Sequence, residues 1–272
     1  MKVSPPFCLG GRYEAKHELC HTCGGAFGFY TARLAPKPHL PYRQTMSFTL
    51  HPNRERGHVD HGWLKAAHSF SFARYVNPDR MNFGALLVLN EDVIAPGQGF
   101  GEHFHDNMEI ITIPLSGSLQ HHDSLGNGSI IRAGEVQIMS AGTGIMHSEF
   151  NASAAEPVHL LQLWILPQTR GLKTRYEQQA LPATTHEGWR IVASPQGEQG
   201  SFVIHQEAWI ELAEIAAGEA IAKSLHNTSH GLFLFVIDGS IEVAGHTLTQ
   251  GDALAVEHES SITIQANTAS RV

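Results

Sequence analysis

Leu115-Ser116-Gly117-Ser118-Leu119 returns 122 residues later as Ile237-Asp238-Gly239-Ser240-Ile241. Downstream, Ile131-Arg132-Ala133-Gly134-Glu135-Val136 has a counterpart in Leu248-Thr249-Gln250-Gly251-Asp252-Ala253. Each copy reads as strand, tight turn, strand, then a Gly-acidic turn into another strand. Two similar β-barrels in tandem account for this repeat better than one large sheet. Short apolar runs separated by Gly/Asn/Asp turns surround both copies, at 85–89, 110–115, 129–131, 136–139 and 158–166, then at 201–205, 231–237, 240–243, 253–256 and 261–265. That spacing is the pattern of an all-β sandwich or barrel. Segments 208–212 and 213–222 fit helix or strand equally. The polar stretch 168–188, with Pro182, reads as a linker. The predicted division is an extension over 1–45, one barrel over 46–170 and a second over 171–272.

Composition agrees with a strand-and-turn protein. The 272 residues are 42% hydrophobic and 16% charged, with 26 glycines, so a core can form. A net charge of −8 argues against a nucleic-acid surface or a polybasic membrane patch. No apolar run approaches the ~18 residues of a membrane span. The three cysteines, Cys8, Cys20 and Cys23, all precede residue 24, so no disulfide framework holds the barrels, and a reducing, cytoplasmic setting is expected. Cys20-His21-Thr22-Cys23 is a zinc-knuckle spacing without the second ligand pair that a structural zinc site uses. Residues 1–45 lack apolar periodicity and any secretory h-region. They read as a disordered extension, with Met46 as an alternative translation start.

The chemistry concentrates in Gly97-Gln98-Gly99-Phe100-Gly101-Glu102-His103-Phe104-His105-Asp106-Asn107-Met108-Glu109. Two residues apart on a strand, His103 and His105 point to one face. Continued at that parity, the face holds Glu109, Ile111, Ile113, Leu115 and Leu119, whereas Thr112, Ser116, Ser118 and Gln120 take the other, with Ile110 as an exception. Odd positions are therefore expected to face the barrel interior. Imidazoles buried there need partners, and a shared metal is an efficient one. Farther on, His147 and Glu149 also share parity, and turns after Gly134 and at 142–144 would return their strand beside the first. Three His and a carboxylate with open positions suit a divalent first-row ion. Glu109 is a rival fourth ligand. Mapped by 122 residues, His103, His105 and Glu109 fall on Leu225, Asn227 and Gly231, with His226 and His230 on the other parity, so the second barrel is expected to be metal-free. His58, His61 and His68 around Trp63 are assigned solvated or hydrogen-bonding roles, and His121-His122 an exposed one. Asn151-Ala152-Ser153 matches a glycosylation pattern that reads as chance.

These residues resemble the cupin signature G-x5-H-x-H-x3-E at Gly97, His103, His105 and Glu109, with a second motif at Gly144, His147 and Asn151. Within cupins the chain is similar to the pirin family, through Arg56-Gly57-His58, His61-Gly62-Trp63-Leu64, Phe70-Ser71-Phe72-Ala73, 97–105 and 139–150 in the family's order. The resemblance runs from Met46 to the end. It implies a bicupin with one metal, in the N-terminal barrel, held by His103, His105, His147 and Glu149, and so favours Glu149 over Glu109. Phe104 stands where pirins commonly carry Pro, the extension is atypical, and the chain stops at Arg271-Val272, which implies an incomplete second barrel.

The resemblance also implies an activity, quercetin 2,3-dioxygenase-like cleavage of flavonols by dioxygen. Fe(II) is the expected ion, with Zn, Ni, Cu or Mn as substitutes, and Glu149 is both ligand and catalytic base. No further cofactor is expected. The partners would be a small aromatic substrate and dioxygen, with no nucleic acid and no membrane, in a monomer. The competing reading is a non-enzymatic, metal-dependent redox sensor that binds a protein partner.

Overall fold

The computed structural model describes residues 47–184, 188–227 and 229–272. The expected extension over 1–45, with its three cysteines, lies outside them. Among the described residues there is no α-helix, only strands and two single-turn 3-10 segments. The first half runs β1 (Ser47–His51), β2 (Gly57–Asp60), β3 (Leu64–His68), β4 (Leu86–Ile94), β5 (Gly99–His105), β6 (Glu109–Ser116), β7 (Ser118–Asp123), β8 (Gly128–Arg132), β9 (Glu135–Ser140), β10 (Ile145–Asn151), β11 (Val158–Ile165) and β12 (Arg175–Ala180). The second half runs β13 (Trp189–Ser194), β14 (Phe202–Val203), β15 (Ile210–Ile215), β16 (Ala220–Ser224), β17 (Leu232–Phe235), β18 (Ser240–Val243), β19 (His246–Thr249), β20 (Ala253–Glu257), β21 (Ser261–Ala266) and β22 (Ser270–Arg271). The all-β bicupin reading of the repeat holds, and the ambiguous stretch 208–222 resolves into β15 and β16.

In the first barrel a seven-stranded sheet, β12-β9-β6-β11-β4-β3-β2, faces a four-stranded one, β5-β10-β7-β8. The second barrel repeats the smaller sheet as β16-β21-β18-β19. Two strands cross the expected linear division. β1 pairs with β20, placing Ser47–His51 in a sheet of the C-terminal half. β12 lies in the stretch read as a linker, yet pairs along its whole length with β9 of the first barrel. Arg175, Tyr176 and Gln178 give that strand polar side chains with partners, which is why a polar composition did not mean a loop.

The seven-stranded sheet is buried on both faces. Ile111, Ile113, Ile138, Leu161, Leu163 and Ile165 pack with Val192, Phe202, Ile204, Phe235 and Ile237 of the second half. Each fully buried aliphatic side chain contributes about 1.5–3 kcal/mol, so this seam joins the two halves strongly. Ile110, Met139 and Ile145 form a separate cluster with Trp164. Odd positions of β6 thus face the other barrel and even positions the first barrel's interior, the reverse of the parity expectation. The reason is the turn at 106–108 between β5 and β6, across which strand alternation does not carry. Ile110, the exception in the sequence pattern, marked the true inner face.

Candidate metal centre

Register assembles the site on the inner face of β5-β10-β7. His147 opposes His103 on β5 and Asp123 on β7. One step along, Glu149 opposes Phe100 and His121. The β5–β10 register shifts between these rows, so β5 has an extra residue there. Gly99 permits this close approach, because a Cβ on it would collide with the Glu149 carbonyl and the Phe150 Cα. The bulge aims His103, whose Nδ1–H donates to the Gly101 carbonyl at 2.8 Å and leaves Nε2 as the lone-pair nitrogen.

The imidazoles of His103, His105 and His147 have ring centroids 4.3–4.9 Å apart, and their ligand atoms form one group within 4.8 Å. Glu149 joins a second group through the shared His147, with His121 as its third member. The structure thus gathers three of the four expected residues, His103, His105 and His147, into one group and sets Glu149 in a second one joined to it through His147. Burial, with His147 and His103 alongside, brings the His105 pKa down to about 3. Burial, His103 and His121 bring that of His147 down to about 2. Both rings stay neutral with lone pairs available.

Two buried atoms here lack any hydrogen-bond partner, His147 Nε2 and Glu149 Oε1. Unpartnered buried donors and acceptors cost about 1–3 kcal/mol each, and a divalent cation would satisfy both. The donor set of imidazoles and one carboxylate, without thiolate, fits a first-row ion. The other carboxylate oxygen, Glu149 Oε2, accepts from Gln162 Nε2 at 2.9 Å, and Gln162 in turn accepts from Trp164 Nε1 at 3.1 Å. Asp92 lies on the adjoining wall. Burial, reinforced by the Glu149 charge, pushes it up to about 7.

Glu109 is not at this site. It begins β6 on the outer face, where it accepts from Ser140 Oγ at 2.9 Å and His205 Nδ1 at 3.3 Å and pairs with Arg175 at 3.7 Å. The rival ligand is an inter-barrel anchor.

His121 corrects a second expectation. Read as exposed, it is fully buried, whereas His122 is exposed. Its Nε2–H donates to Asp123 Oδ2 at 3.0 Å, its Nδ1 lies 3.4 Å from His147 Nδ1, and its ring stacks on Tyr176 at 4.7 Å and 26°. Burial raises the Asp123 carboxyl, but hydrogen bonds from Asn127 and His121 outweigh it and hold it below the usual range. The signal was present. His121-x-Asp123 has the spacing of His103-x-His105 and His147-x-Glu149. Gln162 and Tyr176 had no comparable signal. Of the other histidines, His68 is buried and donates to Asn90 Oδ1 at 2.9 Å. Asn151 is buried, with its amide bonded to the Ile94 and Glu156 carbonyls, so it is a structural residue. A hollow of about 410 Å3 beside His205 and Trp209 is lined by none of the four expected ligands.

Two tandem barrels with a His/Glu cluster inside the first define a bicupin of the metal-binding class. The pirin family model matches residues 49–165, and the model of the quercetinase C-terminal cupin domain matches 191–272. A quercetin 2,3-dioxygenase of Escherichia coli K12 is 43% identical over 82% of this chain and 95% of its own length. A pirin-like protein of Caulobacter vibrioides is 39% identical over 79% and 93%. The solved bacterial pirin YhhW from Escherichia coli, in complex with nickel(II), superposes with a TM-score of 0.78 at 41% identity, covering 83% of this chain and 96% of that one. The chain belongs to the pirin family. Among the described residues no helix is long and apolar enough to cross a membrane.

Proposed function

We propose that the protein is a metal-dependent dioxygenase that opens flavonols such as quercetin. The observation that carries this reading is the free, buried Glu149 Oε1 grouped with His147, which is itself one of the three clustered imidazoles. His103, His105, His147 and Glu149 would hold one divalent ion, with Fe(II) as the native species. A bound first-row ion supplies Lewis-acid polarisation and a one-electron path to dioxygen. The Gln162 amide holds Glu149 Oε2, which leaves Oε1 to alternate between binding the ion and taking the proton of the flavonol 3-hydroxyl. Trp164, 4.8 Å from His105, and Phe100, 6.4 Å from His103, offer aromatic surfaces to a flat ring. Asp92, with a pKa near 7, can hold a proton close to this carboxylate. The scarcity of cysteine supports a cytoplasmic setting, and the activity for which the Escherichia coli relative is named supports the substrate class.

A second reading rests on Phe104 and Met146. They oppose each other in register on the outer side of the strands whose inner side carries the imidazoles, and are 45% and 37% exposed. A redox sensor would present such a surface to a protein partner. Oxygen uptake by iron-loaded protein against flavonols and catechols separates the two. Uptake with quercetin, abolished in Glu149→Gln and retained in Glu109→Gln, supports the dioxygenase. No uptake with any of these compounds overturns it and leaves the sensor.

A further inference from the structure

We infer that Asp123 and His121 act as a positioning relay that fixes the tautomer and orientation of His147, a role that rests on the metal-site reading above. The chain of donors runs one way. The Asp123 carboxylate only accepts, and it is held in place by the backbone N–H groups of Leu125 and Asn127 at 2.9 and 3.0 Å. Its Oδ2 takes the His121 Nε2–H at 3.0 Å. With its single ring proton on Nε2, His121 has a bare Nδ1. That nitrogen faces His147 Nδ1 at 3.4 Å, so the proton between them belongs to His147. Its Nε2 is then left with a lone pair, buried and unpartnered within the imidazole triad.

The second barrel shows that the fold does not require this pair. β18 follows the same turn as β7, and its register against β21 places Val243 opposite Ile264 as His121 is placed opposite Glu149. Val243 is buried like His121. A barrel of this design therefore closes with an aliphatic residue at that position. The histidine adds a ring nitrogen 3.4 Å from His147 Nδ1. Tyr176 stacked on the outer side of His121 keeps the ring from turning away.

The test compares His121→Val, which copies the second barrel, with His121→Asn, whose Oδ1 falls near the original Nδ1 and still accepts. In the full chain, Ni(II) affinity is measured by competition with a chromophoric chelator, and the visible spectrum is recorded after Co(II) loading. We expect His121→Val to bind Ni(II) about 10–100-fold more weakly, the usual effect of losing such an outer partner, and to shift the Co(II) bands. His121→Asn should recover most of the affinity and the spectrum. Wild-type affinity and spectrum in His121→Val would overturn the relay. Equal losses in both variants would also overturn it, since His121 would then matter as a ligand or by packing rather than as an acceptor. His103→Ala and His147→Ala control the underlying reading. If both bind Ni(II) like wild type, the metal site itself is wrong and the relay falls with it.

Discussion

The two barrels close in the same way and are filled differently. Along β10 the first places His147 and Glu149 in its interior, while β21 of the second places Ile262 and Ile264 there. Gln137 on β9 is fully buried without a partner for either amide atom, and the corresponding residue after the second Gly-acidic turn is Leu254, also fully buried. His121 corresponds to Val243. The second interior is filled mainly by an apolar cluster around Trp189, Ile241, Leu248, Val256 and Ile264. The first trades packing for polar groups that point at one another. Both repeats supply the seam and have apolar clusters of their own, but only the first sets buried polar side chains at the β10 positions that the second fills with isoleucine.

The largest test of this contrast exchanges the fillings. Ile264→Glu would bury a carboxylate among Ile241, Val243 and Ile262 with no partner, and we expect a loss of at least about 4 kcal/mol in urea unfolding, enough to prevent folding. Glu149→Leu removes a carboxylate that already leaves one oxygen unpartnered. We expect the ion-free protein to be at least as stable as wild type while Ni(II) affinity falls sharply. A strongly destabilised Glu149→Leu would mean that the first barrel depends on its polar interior for folding.

The second barrel places a polar pair at the corresponding mouth. The β16–β21 register sets Lys223 opposite Ile262, the place held by His103 opposite His147 in the first barrel. The fixed offset of 122 residues had pointed to Leu225 instead. Lys223 is buried and forms an ion pair with Glu211, so an ammonium stands where the first barrel would hold a metal cation. Lys223→Ala strands the Glu211 carboxylate and should cost about 3 kcal/mol. Lys223→Met with Glu211→Leu should restore most of it, because a buried pair and an apolar pair are often close in energy. A double variant as unstable as the single one would show that the charge itself is required.

Acid tests the join between the halves. His51 lies on β1, within the sheet shared with β20, with Phe233 5.1 Å from its ring. Burial, helped by the nearby Arg80 charge, brings its pKa down to about 4, against 6.5 in the unfolded chain. Between these values the unfolded state binds the extra proton. The stability is therefore fully present above pH 6.5 and is lost as pH falls towards 4. From pH 7 to 5 this one group should cost about 2 kcal/mol. Urea titrations at both pH values should show His51→Leu losing that much less than wild type. An unchanged difference would mean that His51 does not stay neutral in the folded seam.

The repeat was legible because Gly117 and Gly239, and Gly134 and Gly251, each adopt the positive φ that the turns need. The imidazole triad was legible because pairs two residues apart keep one face within a strand. What failed was inference across a turn. Glu109 follows the turn at 106–108, and parity carried through it assigned the wrong face. β12 and Tyr176 were hidden for a different reason. Their partners, Met139 and His121, are distant in sequence, and a polar strand on a sheet edge has no apolar alternation to announce it.

The smallest expected effect is the sharpest test of register. His122 neighbours His121, but it is exposed, and its Nε2 meets only Gln120 Nε2 at 2.9 Å. A one-residue slip of β7 against β10 would exchange the two histidines between interior and surface. In the observed register, His121 opposes Glu149 and His122 opposes Ser148. His122→Ala should therefore change stability by no more than about 0.5 kcal/mol, as exposed substitutions usually do, and leave Ni(II) affinity as in wild type. His121→Val, one position away, should weaken that affinity at least tenfold. If His122→Ala were the damaging change, β7 would present the other face to the barrel. Asp123 would then leave the row of His103 and His147, and the contrast between a polar and an apolar barrel would lose its best-defined pair, His121 and Val243.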